Sequence, residues 1–302
     1  MGNVWDAEMV VSPFMAKQLI EGQFPELAPG EVNEIGRGFD NTVYSVNGKY
    51  IFRFPRRAIA VPLLKTENKL LPPLAEKMPL PIATPCYFGS PVPNLYPWPF
   101  TGYYLIPGKP PGCLSHAERI TSAVPLGRFL RALHAFPAEQ AKSLQVPYDE
   151  LDRLGVENRR PKLLGFLNEI RDLQLYERVD NLEQIVQDTE PHETAGHEVL
   201  VHGDLHIRNI TVDANGKVSG IIDWGDVHIG HPAVDLSIVY SFLPPEGREM
   251  FFHVYGEIDL QTQELARFKA LYTTVLLMLY GHGHQDAELI KAAGQSLNLL
   301  RL

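Results

Sequence analysis

Apolar and polar positions alternate with a period of two near the start of the chain and with a helical period through its second half. Residues 42–46, "TVYSV", and 49–54, "KYIFRF", are β-rich runs flanking Asn47-Gly48, a pair that favours a tight hairpin turn. Strand alternation sets Tyr50, Phe52 and Phe54 on one face and Ile51 with Arg53 on the other. From Pro72 to Pro111 twelve of the 25 prolines accumulate, which predicts extended, turn-rich chain with few long helices around one strand, "GYYLI". Helical signals follow. Ser115 and Glu118 have capping-box spacing, and Leu126, Phe129, Leu130 and Leu133 share a helical face. "PKLLGFLNEIRDLQLY", "ELARFKALYTTVLLMLY" and "DAELIKAAGQSLNLL" carry the same periodicity. The one β island among them is "NITVD" and "KVSGII", joined through Asn215-Gly216.

These patterns predict an α+β chain of two lobes: residues 1–106, small and β-rich, and residues 107–302, mostly helical, with a connector near 105–111. At 302 residues, 45% of them hydrophobic, the chain is long enough for two cores. Its formal charge of −9 argues against nucleic acid or an anionic membrane as partner; it suits a cationic small substrate, although solubility explains the charge equally well. Cys86 and Cys113 lack metal-ligand spacing and fit a reducing compartment. The opening "MGNVWDAEMVV" has no apolar signal core, and Asp6 breaks the myristoylation pattern. The most apolar run is too short to span a bilayer, so the expectation is a cytoplasmic protein.

Candidate chemistry concentrates in residues 199–230. The hairpin returns the chain so that Asn209 and Asp223 lie at one end of the ribbon, with Asp204 on the loop leading in. Two carboxylates and a carboxamide there make an oxygen-rich pocket of the kind a hard cation such as Mg²⁺ prefers. His202-Gly203-Asp204-Leu205, then Asn209, has the spacing of a kinase catalytic loop, and Asp223-Trp224-Gly225 stands where the metal-binding Asp-Phe-Gly would. "VHGDLHIRNI" and "IIDWGD" resemble the two signature motifs of the aminoglycoside phosphotransferase family, with Gly203 replacing the arginine typical of protein kinases.

That resemblance implies a protein-kinase-like fold and phosphoryl transfer from ATP or GTP to a hydroxyl of a small molecule, an aminoglycoside first, with Mg²⁺ as metal. It implies Asp204 as catalytic base or orienting carboxylate, and Asn209 and Asp223 as metal ligands. His202 braces the loop in this reading, and Asp235 holds it from behind, although a helix cap explains Asp235 nearly as well. "GRGFDNTV" lines up with the phosphate-covering loop through Gly36 and Gly38, but Asn41 replaces the third glycine. Arg53 takes the place of the phosphate-contacting lysine, keeping the charge with a planar fork. Glu67 is its implied ion-pair partner, and the backbone from Tyr104 to Ile106 would meet the purine. The helical insert from Pro147 to Pro191, with Glu150, Asp152 and Glu169, would line the acceptor site, although solvated helix faces explain those carboxylates too.

Other readings stay open. A sugar, amino alcohol or macrolide is an alternative acceptor. A metallohydrolase could draw ligands from His202, Asp204, His206, Asp226, His228, His231, His282 and His284. A non-catalytic nucleotide-binding regulator would need one chemistry residue missing, and Arg53 is the only departure that encourages it.

Overall fold

The computed structural model describes residues 7–38, 40–194 and 196–301. Phe39 of the glycine-rich turn and the first six residues lie outside them. The chain divides into two compact units: the residues up to Lys77 with Ile82–Ile106, and Met78–Pro81 with everything from Pro107 onward.

The first unit opens with α1 (Pro13–Gln23), whose start is capped by Ser12 accepting the Met15 N–H. The antiparallel strands β1 (Val32–Arg37), β2 (Asn41–Val46) and β3 (Tyr50–Pro55) follow, then α2 (Ala60–Ala75), β4 (Pro85–Gly89) and β5 (Phe100–Tyr104). The sheet order is β1-β2-β3-β5-β4. Asn47 and Gly48 both take positive φ, as a twist-matched two-residue hairpin requires. The alternation in β3 comes out as read: Phe52 and Phe54 are fully buried against Phe100, Phe54 stacked on it at 4.6 Å between ring centres and Phe52 tilted to it. Gly102 faces Phe52 across the ladder, and a Cβ there would strike the Phe52 ring.

The proline-rich reading is corrected at its start. α2 runs through Pro72 and Pro73 to Ala75. The two N–H groups that the prolines lack fall in the helix's last turn, and burial of Leu70, Leu71 and Leu74 on one side outweighs that loss.

The second unit begins with the short α3 (His116–Ile120), closed by the Ser115–Glu118 capping box, then α4 (Ala123–His134) and α5 (Ala138–Ser143). The helical insert forms α6 (Val156–Asp172) and α7 (Val179–Asp188). Four short strands follow: β6 (Val199–Val201), β7 (Ile210–Val212), β8 (Val218–Ile221) and β9 (His228–Gly230). The chain finishes with α8 (Ala233–Phe242), α9 (Pro245–Tyr255), α10 (Leu260–Gly283) and α11 (Ala287–Leu300). β6 pairs with β9 and β7 with β8, both antiparallel. Every residue of α8 is buried, because α9, α10 and α11 pack around it.

The turn between β7 and β8 differs from the simple Asn-Gly hairpin. Only Gly216 takes positive φ, and the Asp213 side chain closes the loop by accepting the N–H groups of Asn215 (2.8 Å) and Lys217 (3.1 Å). The ribbon still folds back: the Ile222 N–H donates to the Asn209 carbonyl at 2.9 Å, setting Asn209 level with the start of Asp223.

Candidate active site

In the second unit a buried bracket holds the loop from His202 to Asn209. Asp235, in the first turn of α8, accepts the backbone N–H of His202 at 2.7 Å and of Gly203 at 3.0 Å. Its side chain therefore braces the loop and does not cap its own helix. His134 Nε2 approaches the same carboxylate at 3.2 Å, and His134 Nδ1 meets the Tyr255 hydroxyl at 2.7 Å. Burial alone would raise the Asp235 pKa; the His134 hydrogen bond and the loop N–H groups outweigh it and hold the carboxyl below its usual value. His202 fits its place as a neutral ring: Nε2–H donates to the Ile222 carbonyl at 3.0 Å, while Nδ1 accepts the Asp204 N–H at 3.3 Å. The buried Trp224 ring packs 4.7 Å from it.

Gly203 has a physical reason to be glycine. Its φ is +89°, and a Cβ would run into the Asp226 carbonyl oxygen. An arginine in that position has no room.

Asp204 is 37% exposed at the open end of this loop, with His206 Nε2 3.3 Å from its Oδ2. Partial burial pushes its pKa up, but the charges of His206 and Lys269 and the His206 hydrogen bond prevail, holding the carboxyl well below the usual range. Asn209, nearly buried, donates its amide N–H to the Asp204 carbonyl at 2.8 Å and to Asp204 Oδ2 at 3.2 Å. Its amide oxygen is thus the atom left to ligate a metal. Asp223 sits at φ +64°, a left-handed conformation that a non-glycine residue seldom adopts outside functional positions.

Sequence reasoning passed over Lys269. It lies on α10, 8% exposed, with its ammonium donating to Thr273 Oγ1 at 2.8 Å and within electrostatic reach of Asp204. The signal was there in principle: a lysine inside the apolar run "ARFKALYTTV" has no solvent face to occupy. Arg153 was likewise unremarked. It donates to Asp149 at 2.6 Å and Asp226 at 2.5 Å, tying the insert to the segment after Asp223.

In the first unit Arg53 donates to Glu67 at 3.2 Å, and the Tyr103 hydroxyl donates to the same carboxylate at 3.1 Å. Glu67 is buried on α2, so this is a fixed pair and not a solvated helix charge. Among the described residues, Gly36 has nothing within 4 Å of a would-be Cβ, and Gly38 has only the Asn41 carbonyl, at 3.9 Å. At the end of β5 the N–H groups of Tyr104 and Leu105 are bonded to the Thr84 and Lys49 carbonyls. Among the described residues, the Ile106 N–H is the donor of the three left for a ligand.

The histidines of the hydrolase reading do not converge. Among the described residues no three His, Cys, Asp or Glu side chains form a metal-holding group. His228 Nδ1 is 2.7 Å from the Asp226 carbonyl, and His231 Nδ1 accepts the Ala233 N–H at 3.1 Å. No helix among the described residues is long and apolar enough to cross a membrane.

A strained aspartate after a short hairpin, an asparagine bonded to a loop aspartate, and a small antiparallel sheet with a fixed Arg–Glu pair are features of a kinase-like fold. The phosphotransferase enzyme family model (APH) matches residues 31–271, and the chain belongs to that family. The GDP and kanamycin complex of APH(2")-IIia is 26% identical, with a TM-score of 0.66 over 94% of this chain and 96% of that one. Macrolide 2'-phosphotransferase type I shares the fold at 19% identity, with a TM-score of 0.56 over 95% of this chain and 98% of that one. A segment of 104 residues is 44% identical to viomycin phosphotransferase of Streptomyces vinaceus, covering 33% of this chain and 34% of that protein. The chain spans about a third of the length of the curated relatives it matches.

Proposed function

We propose that the chain transfers the γ-phosphate of ATP or GTP to a hydroxyl of a small molecule in the cytoplasm. Residues 1–106 would supply nucleotide contacts, and residues 107–302 the catalytic loop, metal ligands and acceptor site. The observation that carries this reading is the Asp204 carboxylate, held ionised at the open end of a braced loop with Asn209 bonded to it. An aminoglycoside is the acceptor class favoured by the relative crystallised with GDP and kanamycin, which also supports a purine nucleotide as donor.

The acceptor hydroxyl donates its hydrogen bond to Asp204. Its oxygen forms a bond to the γ-phosphorus as the bridging bond to the β-phosphate breaks, and the nucleoside diphosphate leaves. A carboxylate of such low basicity orients the hydroxyl and receives its proton late, after the oxygen has become acidic through bonding to phosphorus. The proton then passes to solvent. Arg53, fixed by Glu67, offers positive charge to the α- and β-phosphates. The open space over Gly36 and Gly38 admits phosphate oxygens, and the backbone at Tyr104 and Ile106 meets the purine edge. The donor set of the Asn209 amide oxygen and the Asp223 carboxylate is hard and oxygen-only, which fits Mg²⁺. Bound there, the ion would neutralise phosphate charge.

The test is nucleoside diphosphate release with Mg²⁺ and either ATP or GTP, against aminoglycosides, macrolides, sugars and amino alcohols. Acceptor-stimulated release by the wild type and not by Asp204→Asn is expected. Equal release by both proteins would overturn the assignment of Asp204. Asp223→Ala should weaken Mg²⁺-nucleotide binding in calorimetry, and an unchanged isotherm would remove it from the metal shell.

A further inference from the structure

The whole chain is acidic, yet cationic side chains gather along α10 around Lys269, which is within electrostatic reach of Asp204. α10 carries two tyrosines, each covered by an arginine from a different element. The Arg159 guanidinium of α6 lies 5.0 Å from the Tyr272 ring centre, and that of Arg208, in the catalytic loop, lies 4.7 Å from Tyr280. Lys269 lies one helical turn before Tyr272. Among the described residues no carboxylate lies within ion-pair distance of Lys269, Arg159 or Arg208. Arg159 instead donates to the carbonyls of Asp152 (2.7 Å) and Leu151 (2.8 Å). The Lys269 ammonium has three donors, more than nine-tenths of the residue is buried, and among the described residues its one hydrogen-bond partner is the Thr273 hydroxyl.

Apart from Asp204 and Asp223, the carboxylates nearby are already engaged or turned outward. Asp149 and Asp226 share Arg153. Asp152 accepts the Asn158 amide at 3.1 Å, and Glu150 and Glu169 are exposed. A polyamine brought to Asp204 would meet cations, and like charges in a partly desolvated site repel strongly. A buried ammonium with unfilled donors is satisfied by an anionic oxygen, and the Arg159 Nη1 group, with Nε and Nη2 bonded to the two carbonyls, is left to donate to a carboxylate.

We propose that the acceptor carries a carboxylate beside its reactive hydroxyl, received by Lys269 and Arg159 while Asp204 receives the hydroxyl. The substrate class is thus a hydroxylated carboxylic acid and not a polycation. This inference rests on the phosphotransfer reading and replaces the aminoglycoside as its acceptor. The transfer itself is unchanged: the hydroxyl oxygen takes the γ-phosphoryl group, and the carboxylate stays intact.

The experiment uses matched acceptors that differ only in the carboxylate: gluconate against sorbitol, glucuronate against glucose, and hydroxy-amino acids against their amino alcohols. Kanamycin is the polycationic arm. Nucleoside diphosphate release and calorimetric binding to the Mg²⁺-nucleotide-loaded chain are both read, for the wild type, Lys269→Met and Arg159→Gln. Methionine keeps the buried aliphatic stem and removes the charge, and Arg159 is only half-buried, so at least one variant retains the fold. The carboxylate member should be preferred about tenfold or more, mostly through KM, and both variants should lose that preference. Kanamycin or the neutral members being turned over by the wild type as well as the carboxylate members would overturn the inference and leave phosphotransfer standing. Carboxylates bound in a Lys269-dependent way without any transfer would uphold the site and overturn the kinase reading. No Lys269-dependent binding of any carboxylate would overturn the inference outright.

Discussion

Asp235 accepts the backbone N–H of His202 at 2.7 Å, so the first turn of a buried helix fixes a loop 33 residues earlier in the chain. Removing that carboxylate leaves two buried N–H groups and His134 without their partner. Asp235→Ala should therefore cost about 3–5 kcal/mol, measured by urea denaturation. A loss below about 1 kcal/mol would mean the loop is held by other contacts.

The pH dependence of stability has a clear sign at His231. Burial, with His197 beside it at 4.8 Å between ring centres, pushes its pKa down to about 4. The unfolded histidine titrates near 6.5, so the unfolded chain binds the proton first as pH falls. Stability should drop between about pH 6.5 and pH 4 by roughly 3 kcal/mol and level off below that range as far as this residue is concerned. His231→Asn keeps an acceptor for the Ala233 N–H and should flatten that part of the curve. A variant curve parallel to wild type would clear His231 of the effect. Asp235 acts at lower pH. Its carboxyl is held below the ordinary value, so its stabilisation is complete above about pH 4 and is lost as pH falls through the folded pKa.

Gly203→Ala should destabilise the chain by about 2 kcal/mol or more, since it forces a positive φ on a side chain with no space. Transfer should fall with it, because the displaced Asp226 carbonyl also holds His228. Thermal melting and turnover of the same preparation test both effects, and wild-type values in each would refute the packing argument.

In the proposed reaction Tyr103 would act on the nucleotide through Glu67 and Arg53. Tyr103→Phe removes one hydrogen bond to a buried carboxylate, worth about 1.5–3 kcal/mol, and should lower nucleotide affinity a few-fold with the acceptor KM unchanged. Arg53→Lys should lower affinity further by losing the fork, and Arg53→Ala most of all. Calorimetry that ranks Arg53→Ala equal to wild type would remove the pair from nucleotide binding.

What the sequence made legible is the contiguous part. His202, Asp204, Asn209 and Asp223 lie within 22 residues and one hairpin, so spacing alone places them together. The β3 alternation likewise announced which face of Arg53's strand is core. Lys269, Arg153, Tyr103, His134 and Tyr255 come from elements far along the chain, and no local period says which helix face turns toward the loop. Two local signals also misled. Pro72 and Pro73 read as breakers, but burial of Leu70, Leu71 and Leu74 carries the helix through them, and Asn215-Gly216 read as the whole turn although Asp213 closes it.

The central claim is that Asp204 acts on the acceptor hydroxyl and not on the fold or the nucleotide. Asp204→Asn, measured by single-turnover release of nucleoside diphosphate beside calorimetric nucleotide binding, tests it most directly. The account predicts a loss of transfer of about 10²- to 10⁴-fold with binding and melting temperature close to wild type. Transfer within a few-fold of wild type would contradict it.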